Sequence, residues 1–269
     1  MQWIITSLHL AVKFIKNCIL LILFYLVQYN KYIICKRGVG ISKNFSHGIT
    51  KKKFIIIGHT EQLLFGQMRY LKHQERLVKQ HKMFKKMKEI LGPMQYSLPK
   101  WDNLNDAVLY AVIGQMLSVK AANSIINNLR SNLSSADDIL KWASKNKSKS
   151  GPIYGVSRSK RRALAMWNNF YSANRKDIRK WHKQSSSEVK EKIVSIWGFG
   201  LWAADMILIF HLGKMDVWPE TDGGIKRGVE ILFPEKSLQE VKSYVAGAET
   251  IAALYIWQML NEKVEHHFV

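Results

Sequence analysis

Gly198-Phe199-Gly200 lies between two helical patterns, Glu188 to Ile196 and Leu201 to Leu212, and that placement suits a phosphate-binding turn. Glycines tolerate positive φ and let a phosphate approach the backbone. The helix that follows contributes unpaired N–H groups and the positive end of its dipole. Ser185-x-x-Glu188 opens the first helix with a capping signature, and Ala203-Ala204 lets the second pack closely against it. Further on, Asp216-Val217-Trp218-Pro219 leads to Asp222, which precedes apolar residues at helical spacing (Ile225, Val229, Leu232). An Asp in that position reads as an N-cap, and capping would fix the direction of its carboxylate. The chemistry on offer is anion binding beside one oriented carboxylate. Cys18 and Cys35 are the only cysteines, and the nine histidines fall into no ligand spacing. That excludes a disulfide framework and a four-thiolate zinc or iron–sulfur site.

The elements that must carry these groups are helical. Apolar residues recur at threes and fours over Gln74 to Leu91, which Gly92-Pro93 stops, and over Asn105 to Leu117 and Lys120 to Leu133. The same spacing predicts helices at Lys160 to Ala173, Ile225 to Phe233 and Leu238 to Leu260. A short strand is conceivable at Phe54 to Ile57, and the fold class is mostly α. A chain of 269 residues that is 47% hydrophobic, with nine Trp, ten Tyr and eleven Phe, buries a sizeable core and is no disordered tail. With 41 Lys+Arg against 20 Asp+Glu, it is drawn to a polyanion, either nucleic acid or an acidic membrane. Fifteen of those cations fall between Lys141 and Lys192, opposed only by Asp177, Glu188 and Glu191. The stretch is either a solvated face or a phosphate-neutralising one.

The first thirty residues read differently. Ile19 to Val27 is unbroken apolar, about half of the roughly 20 residues a bilayer crossing needs, and Lys13 and Lys16 precede it. A signal anchor, a buried helix and a poorly structured extension all fit. Residues 36 to 53 are a Gly/Ser/Lys-rich linker. The chain divides into an extension at 1–75, a helical domain at 76–262 and a tail at 263–269.

The segment 185–232 resembles the helix–hairpin–helix DNA glycosylase superfamily, whose hairpin is followed by a "DV-x-P" segment and an essential Asp. Trp202 and Asp222, twenty residues apart, look most like its alkylbase (3-methyladenine) branch. Ala111-Val112-Ile113-Gly114-Gln115-Met116-Leu117-Ser118-Val119-Lys120-Ala121-Ala122 is similar to that branch's "I-x-G-Q-Q-x-S-x-x-A-A" helix. Tyr154-Gly155-Val156-Ser157-Arg158-Ser159-Lys160 matches its "G-hydrophobe-S-x-x-K" turn, and Ala252 to Trp257 its closing helix. The resemblance spans Lys79 to Leu260 and implies a two-lobed helical fold preceded by an N-terminal extension.

What it implies chemically is a monofunctional glycosylase that excises alkylated bases from double-stranded DNA as a monomer and leaves an abasic site. A stacked base is out of reach, so the nucleotide must be flipped out. Met116, with Gln115 beside it, stands at the intercalating wedge, although ordinary core packing would also suit a Met there. Gly198, Phe199, Gly200 and Lys160 are the other DNA-binding candidates. Trp202, Met206, Trp218 and Trp257 are candidate pocket walls, their indole faces attracting a cationic purine; plain core packing is the alternative for each. Some relatives carry Tyr at the position of Met206. Asp222 would stabilise the oxocarbenium-like sugar or orient water. Asp216 is read as structural, and Asp205 as turned elsewhere. Bifunctional relatives carry a Lys where this chain has Trp202, and a C-terminal cysteine cluster in other relatives has no counterpart. The resemblance implies no cofactor beyond a structural monovalent cation on the carbonyls of Val194, Ile196 and Phe199. It places the protein inside the cell with the DNA, while residues 1–30 leave membrane contact or organelle targeting open. A non-catalytic DNA-binding module, a membrane protein, and a glycosylase for uracil or a mismatched base remain as alternatives.

Overall fold

A computed structural model describes residues 70–268 apart from 93, 95–97, 99 and 102. The apolar run at Ile19 to Val27, the linker and the strand expected at Phe54 to Ile57 lie outside the described residues. Among those described, no residue belongs to a β-strand, and the one β-bridge joins Ile153 to Val156. The chain is helical over 70–80, and ten α-helices follow: α1 (Lys82–Leu91), α2 (Leu104–Gly114), α3 (Val119–Asn132), α4 (Ala136–Asn146), α5 (Arg158–Ile178), α6 (Ser186–Val194), α7 (Leu201–Phe210), α8 (Gly223–Leu232), α9 (Leu238–Tyr244) and α10 (Glu249–Glu262). Short 3₁₀ turns stand at Trp181–Lys183 and Glu265–His267.

Two helices break where their sequence patterns run on. The helix expected from Gln74 to Leu91 breaks at His81, whose extended backbone (φ −130°, ψ 112°) lets its ring lie 4.0 Å from that of Tyr244. The helix expected from Leu238 to Leu260 is two, α9 and α10, because Gly247 turns the chain at φ +82°. α4 was not anticipated. Its start is nonetheless encoded: the Ser135 side chain accepts the Asp138 N–H, with Asp137 and Asp138 in the first turn.

The helices sort into two packing groups. α2 is buried almost all round and packs on α3, α4, α5 and α7, while α7 also packs on α6. α10, equally apolar around its circumference, packs on α1 and α8, and α8 on α9. Helices without a polar face belong inside a core, and these two lobes are built around α2 with α7 and around α10. Gly228 permits the second contact, since a Cβ there would lie 2.1 Å from Ile256 Cγ2. Seven helix starts are capped by a side chain (Asn103, Ser118, Ser135, Ser157, Ser185, Asp222, Ser237). The capping box read at Ser185 and Glu188 forms, and a second forms at Ser237 and Glu240. Asp222 therefore marks where the chain re-enters the second lobe, facing α7 of the first.

Candidate active site

The segment between α7 and α8 is fixed at both ends. The Thr250 hydroxyl accepts the Val217 N–H and donates to the Lys214 carbonyl, and the Ser186 hydroxyl donates to Asp216 Oδ1 at 2.6 Å. Asp216 is thus structural. The segment ends at Asp222, whose carboxylate takes three hydrogen bonds. Oδ1 accepts the Ile225 N–H (2.9 Å) and Trp257 Nε1–H (2.9 Å), and Oδ2 accepts Trp202 Nε1–H (2.7 Å). The cap and the two indoles hold the carboxylate in one orientation, with Trp202 from α7 and Trp257 from α10 reaching it from different lobes. Gly114 and Gly224 make room for this. A Cβ at Gly114 would sit 3.2 Å from the Trp202 ring, and one at Gly224 3.0 Å from Asp222 Oδ1 and 3.3 Å from the Trp257 ring. Gly114 is the glycine of the motif read at 111–122, whereas Gly224 was not singled out; Gly223-Gly224 directly after the Asp, where helix propensity disfavours glycine, was the available signal.

Asp222 lines a cleft of about 480 Å³ together with Trp202, Ala203, Gly200, Thr221, Gly223 and residues 114–117. That volume is in the range of small-ligand sites. At its edge Met116 is fully exposed and holds φ +56°, a left-handed conformation that costs a non-glycine residue about 1 kcal/mol or more. Core packing is thereby ruled out for Met116. The Leu117 side chain, 39% exposed, shares the rim and was not singled out from the sequence. α2 ends at Gly114 rather than Leu117 because Gln115 leaves the helix at ψ 125°, and its Nε2 donates to the Gly198 carbonyl at 3.0 Å.

The hairpin itself is tight. Gly198 takes φ +87°, and a Cβ there would lie 2.6 Å from that of Ala163 on α5, so no other residue fits. Phe199 is buried with its ring 5.7 Å from Trp167, an anchor in the first lobe rather than a DNA-facing side chain. Gly200 caps α7 with no side-chain hydrogen bond and no acid follows in the first turn, so that helix start keeps its N–H groups available. Val194, at the end of α6, is exposed, whereas Ile196 and Phe199 are buried; the Ile196 carbonyl accepts the Phe199 N–H at 3.0 Å.

Besides Phe199, and Trp257, which meets the Asp222 carboxylate but is absent from the cleft lining, three expected site residues are placed differently. Lys160 donates to the carbonyls of Ile113 (2.7 Å) and Gln115 (3.0 Å), and burial lowers its pKa. It caps the end of α2, so the DNA-facing role read for it gives way to a structural one. Met206, one turn beyond Trp202 on α7, and Trp218, in the buried stretch 217–219, are both core residues and stand outside the cleft lining. Asp205 is 1% exposed and pairs with Lys190 of α6, away from the cleft; burial pushes its pKa up to about 6, with Lys190 opposing. Among the described residues no group of three His, Cys, Asp or Glu side chains could hold a metal ion.

No protein-family profile matches the chain. It is 28% identical over 173 residues to the alkylbase DNA glycosidase-like protein mag2 of Schizosaccharomyces pombe, covering 57% of this chain and 76% of that protein. It is 30% identical over 118 residues to the DNA-3-methyladenine glycosylase of Saccharomyces cerevisiae, covering 41% and 40% of the two chains. Among solved structures it superposes on the 3-methyladenine DNA glycosylase of Schizosaccharomyces pombe in complex with abasic DNA, with a TM-score of 0.60, 21% identity, and 70% and 96% of the chains covered. It also superposes on the DNA-3-methyladenine glycosidase of Bacillus halodurans, with a TM-score of 0.57, 26% identity, and 70% and 89% covered.

Proposed function

We propose that this chain, which belongs to the helix–hairpin–helix DNA glycosylase superfamily and to its 3-methyladenine branch, flips alkylated bases out of double-stranded DNA and releases them by hydrolysis, leaving an abasic site. The observation that carries this reading is the Asp222 carboxylate, pinned by two indole N–H groups inside a cleft with Met116 exposed at its rim. Met116 enters the stack where the nucleotide leaves it. The everted sugar lies against Asp222, and the carboxylate stabilises the positive charge that builds on the ring as the purine departs. A cationic alkylated purine is already a good leaving group, which suits a cleft whose lining contains no general acid other than Asp222 itself. The Trp202 face lines the space the base would take, and cation–π attraction there contributes about 0.5–2 kcal/mol. Because Trp202 carries no amine, no Schiff base forms and the backbone is left uncut.

The hairpin and the uncapped start of α7 hold a backbone phosphate of the same duplex. The carbonyls of Val194, Ile196 and Phe199 are part of the proposal as a monovalent-cation site. The Ile196 carbonyl spends one lone pair on Phe199 and retains a second. The protein works as a monomer and where the cell's DNA is; among the described residues no helix is long and apolar enough to cross a membrane. The test is base release from methylated duplex by wild type and Asp222→Asn. Release by wild type alone supports the reading, equal release by both removes Asp222, and tight binding without release by wild type favours a non-catalytic DNA-binding module. Strand scission without heat or alkali would contradict the monofunctional assignment.

A further inference from the structure

The first turns of α5 are loaded with cations at the wrong end of a helix. Arg158, Lys160, Arg161 and Arg162 occupy the positive end of the dipole with no acidic residue among them, and Arg158 and Arg162 repel each other at i,i+4. Two of the four are used internally. Lys160 caps α2, and Arg161 is fully buried with hydrogen bonds to the carbonyls of Asn146, Lys149, Gly151 and Val156. Arg162 is different. It is exposed, and among the described residues no carboxylate pairs with it. Its guanidinium carbon lies 3.9 Å from the ring centroid of Trp197, itself 40% exposed. The next residue on each side of this pair closes the contact between α5 and the hairpin, since Ala163 meets Gly198. Stacking on an indole fixes the plane of a guanidinium while leaving its five donors at the edge, the arrangement that grips a phosphate with two N–H groups.

We infer that Arg162, held over the Trp197 ring, is a phosphate contact for the DNA strand gripped by the Gly198-Phe199-Gly200 hairpin, with Trp197 as its positioning residue. The inference rests on the DNA-binding reading above. Binding of a duplex carrying a non-hydrolysable tetrahydrofuran abasic analogue is measured by fluorescence anisotropy between 50 and 200 mM salt, with unfolding midpoints as a folding control. Arg162→Ala is expected to weaken binding about tenfold and to lower the slope of log Kd against log salt by about one. Arg162→Lys keeps most of the slope but loses part of the affinity. Trp197→Ala weakens binding severalfold, and the double variant binds no more weakly than Arg162→Ala alone. An unchanged slope and Kd for a folded Arg162→Ala, with wild type binding tightly, overturns this inference and leaves the function intact. Additive losses from Arg162→Ala and Trp197→Ala overturn the positioning role. A wild type that does not bind duplex DNA overturns both readings.

Discussion

At Asp222 the acceptor capacity of one carboxylate is divided between a helix cap and two indoles, and Asn can keep the cap but cannot accept from both indoles. The amide removes the charge and sets an NH₂ against an N–H of Trp202 or Trp257. Asp222→Asn should therefore lose base release by at least about 10²-fold while still binding abasic duplex, read by single-turnover release alongside anisotropy. The tryptophans are separable from the carboxylate. Trp257 has its ring 5.8 Å from that of Phe210, and Trp257→Phe keeps an aromatic ring, trims its volume and deletes the donor to Oδ1. A hydrogen bond to a charged acceptor is worth about 1.5–3 kcal/mol, so release should slow about 10- to 100-fold with little change in binding. If Trp257→Phe instead weakens binding and spares the rate, the indole serves the base and not Asp222.

Between elements, contact geometry takes over from residue identity, and there the sequence becomes harder to read. The hairpin was legible because glycine is needed at Gly198 on two independent grounds, a φ of +87° and a 2.6 Å approach to Ala163. Asp222 was legible as a cap for the same local reason, and the helical class followed from apolar periodicity, whereas the two lobes followed only from the family resemblance. Met206 and Trp218 were not legible, because a cleft wall and the core behind it draw on the same apolar residues, and only the packing of α7 and of the segment after it decides between them. The contact between α6 and α7 also contains a buried titrating group. The Asp205 pKa is raised to about 6 chiefly by burial, against a usual value near 3.8. Its contribution to stability is complete below the unfolded-state value, falls as pH rises through about 6, and is gone above that. From pH 4.5 to 7.5 wild type should lose about 2 kcal/mol more than Asp205→Asn, measured by urea unfolding at the two pH values. The acids with lowered pKa, Asp177, Glu188 and Glu240, act in the opposite sense and below pH 4.5, and they cancel in the comparison. Across the second lobe, Gly228→Ala would force α8 from α10, and a loss of about 1–3 kcal/mol is expected in the same assay.

Over the whole molecule, an excess of 21 positive charges overstates the surface that meets DNA. Of the fifteen cations between Lys141 and Lys192, Arg161 is buried on four carbonyls, Lys160 caps α2, Lys190 pairs with Asp205, and Lys192 bridges Asp177 and Gln184. A count of residues cannot tell these from cations that release counterions, because both are Lys or Arg in a basic run. Salt dependence can, since each phosphate neutralised adds about 0.9 to the slope of log K against log salt. Arg161→Met removes one formal charge as Arg162→Ala does, but it strands carbonyls in the 146–156 loop instead of freeing a surface. Breaking a buried charged network costs about 3–5 kcal/mol, and for a chain of this size each kcal/mol moves the midpoint by about 2–4 °C. Arg161→Met should therefore unfold roughly 10 °C or more below wild type, yet its folded form, assayed in the cold, should show the wild-type salt slope on duplex DNA. A slope lowered by about one would instead mean that the buried arginine reaches phosphate when DNA binds.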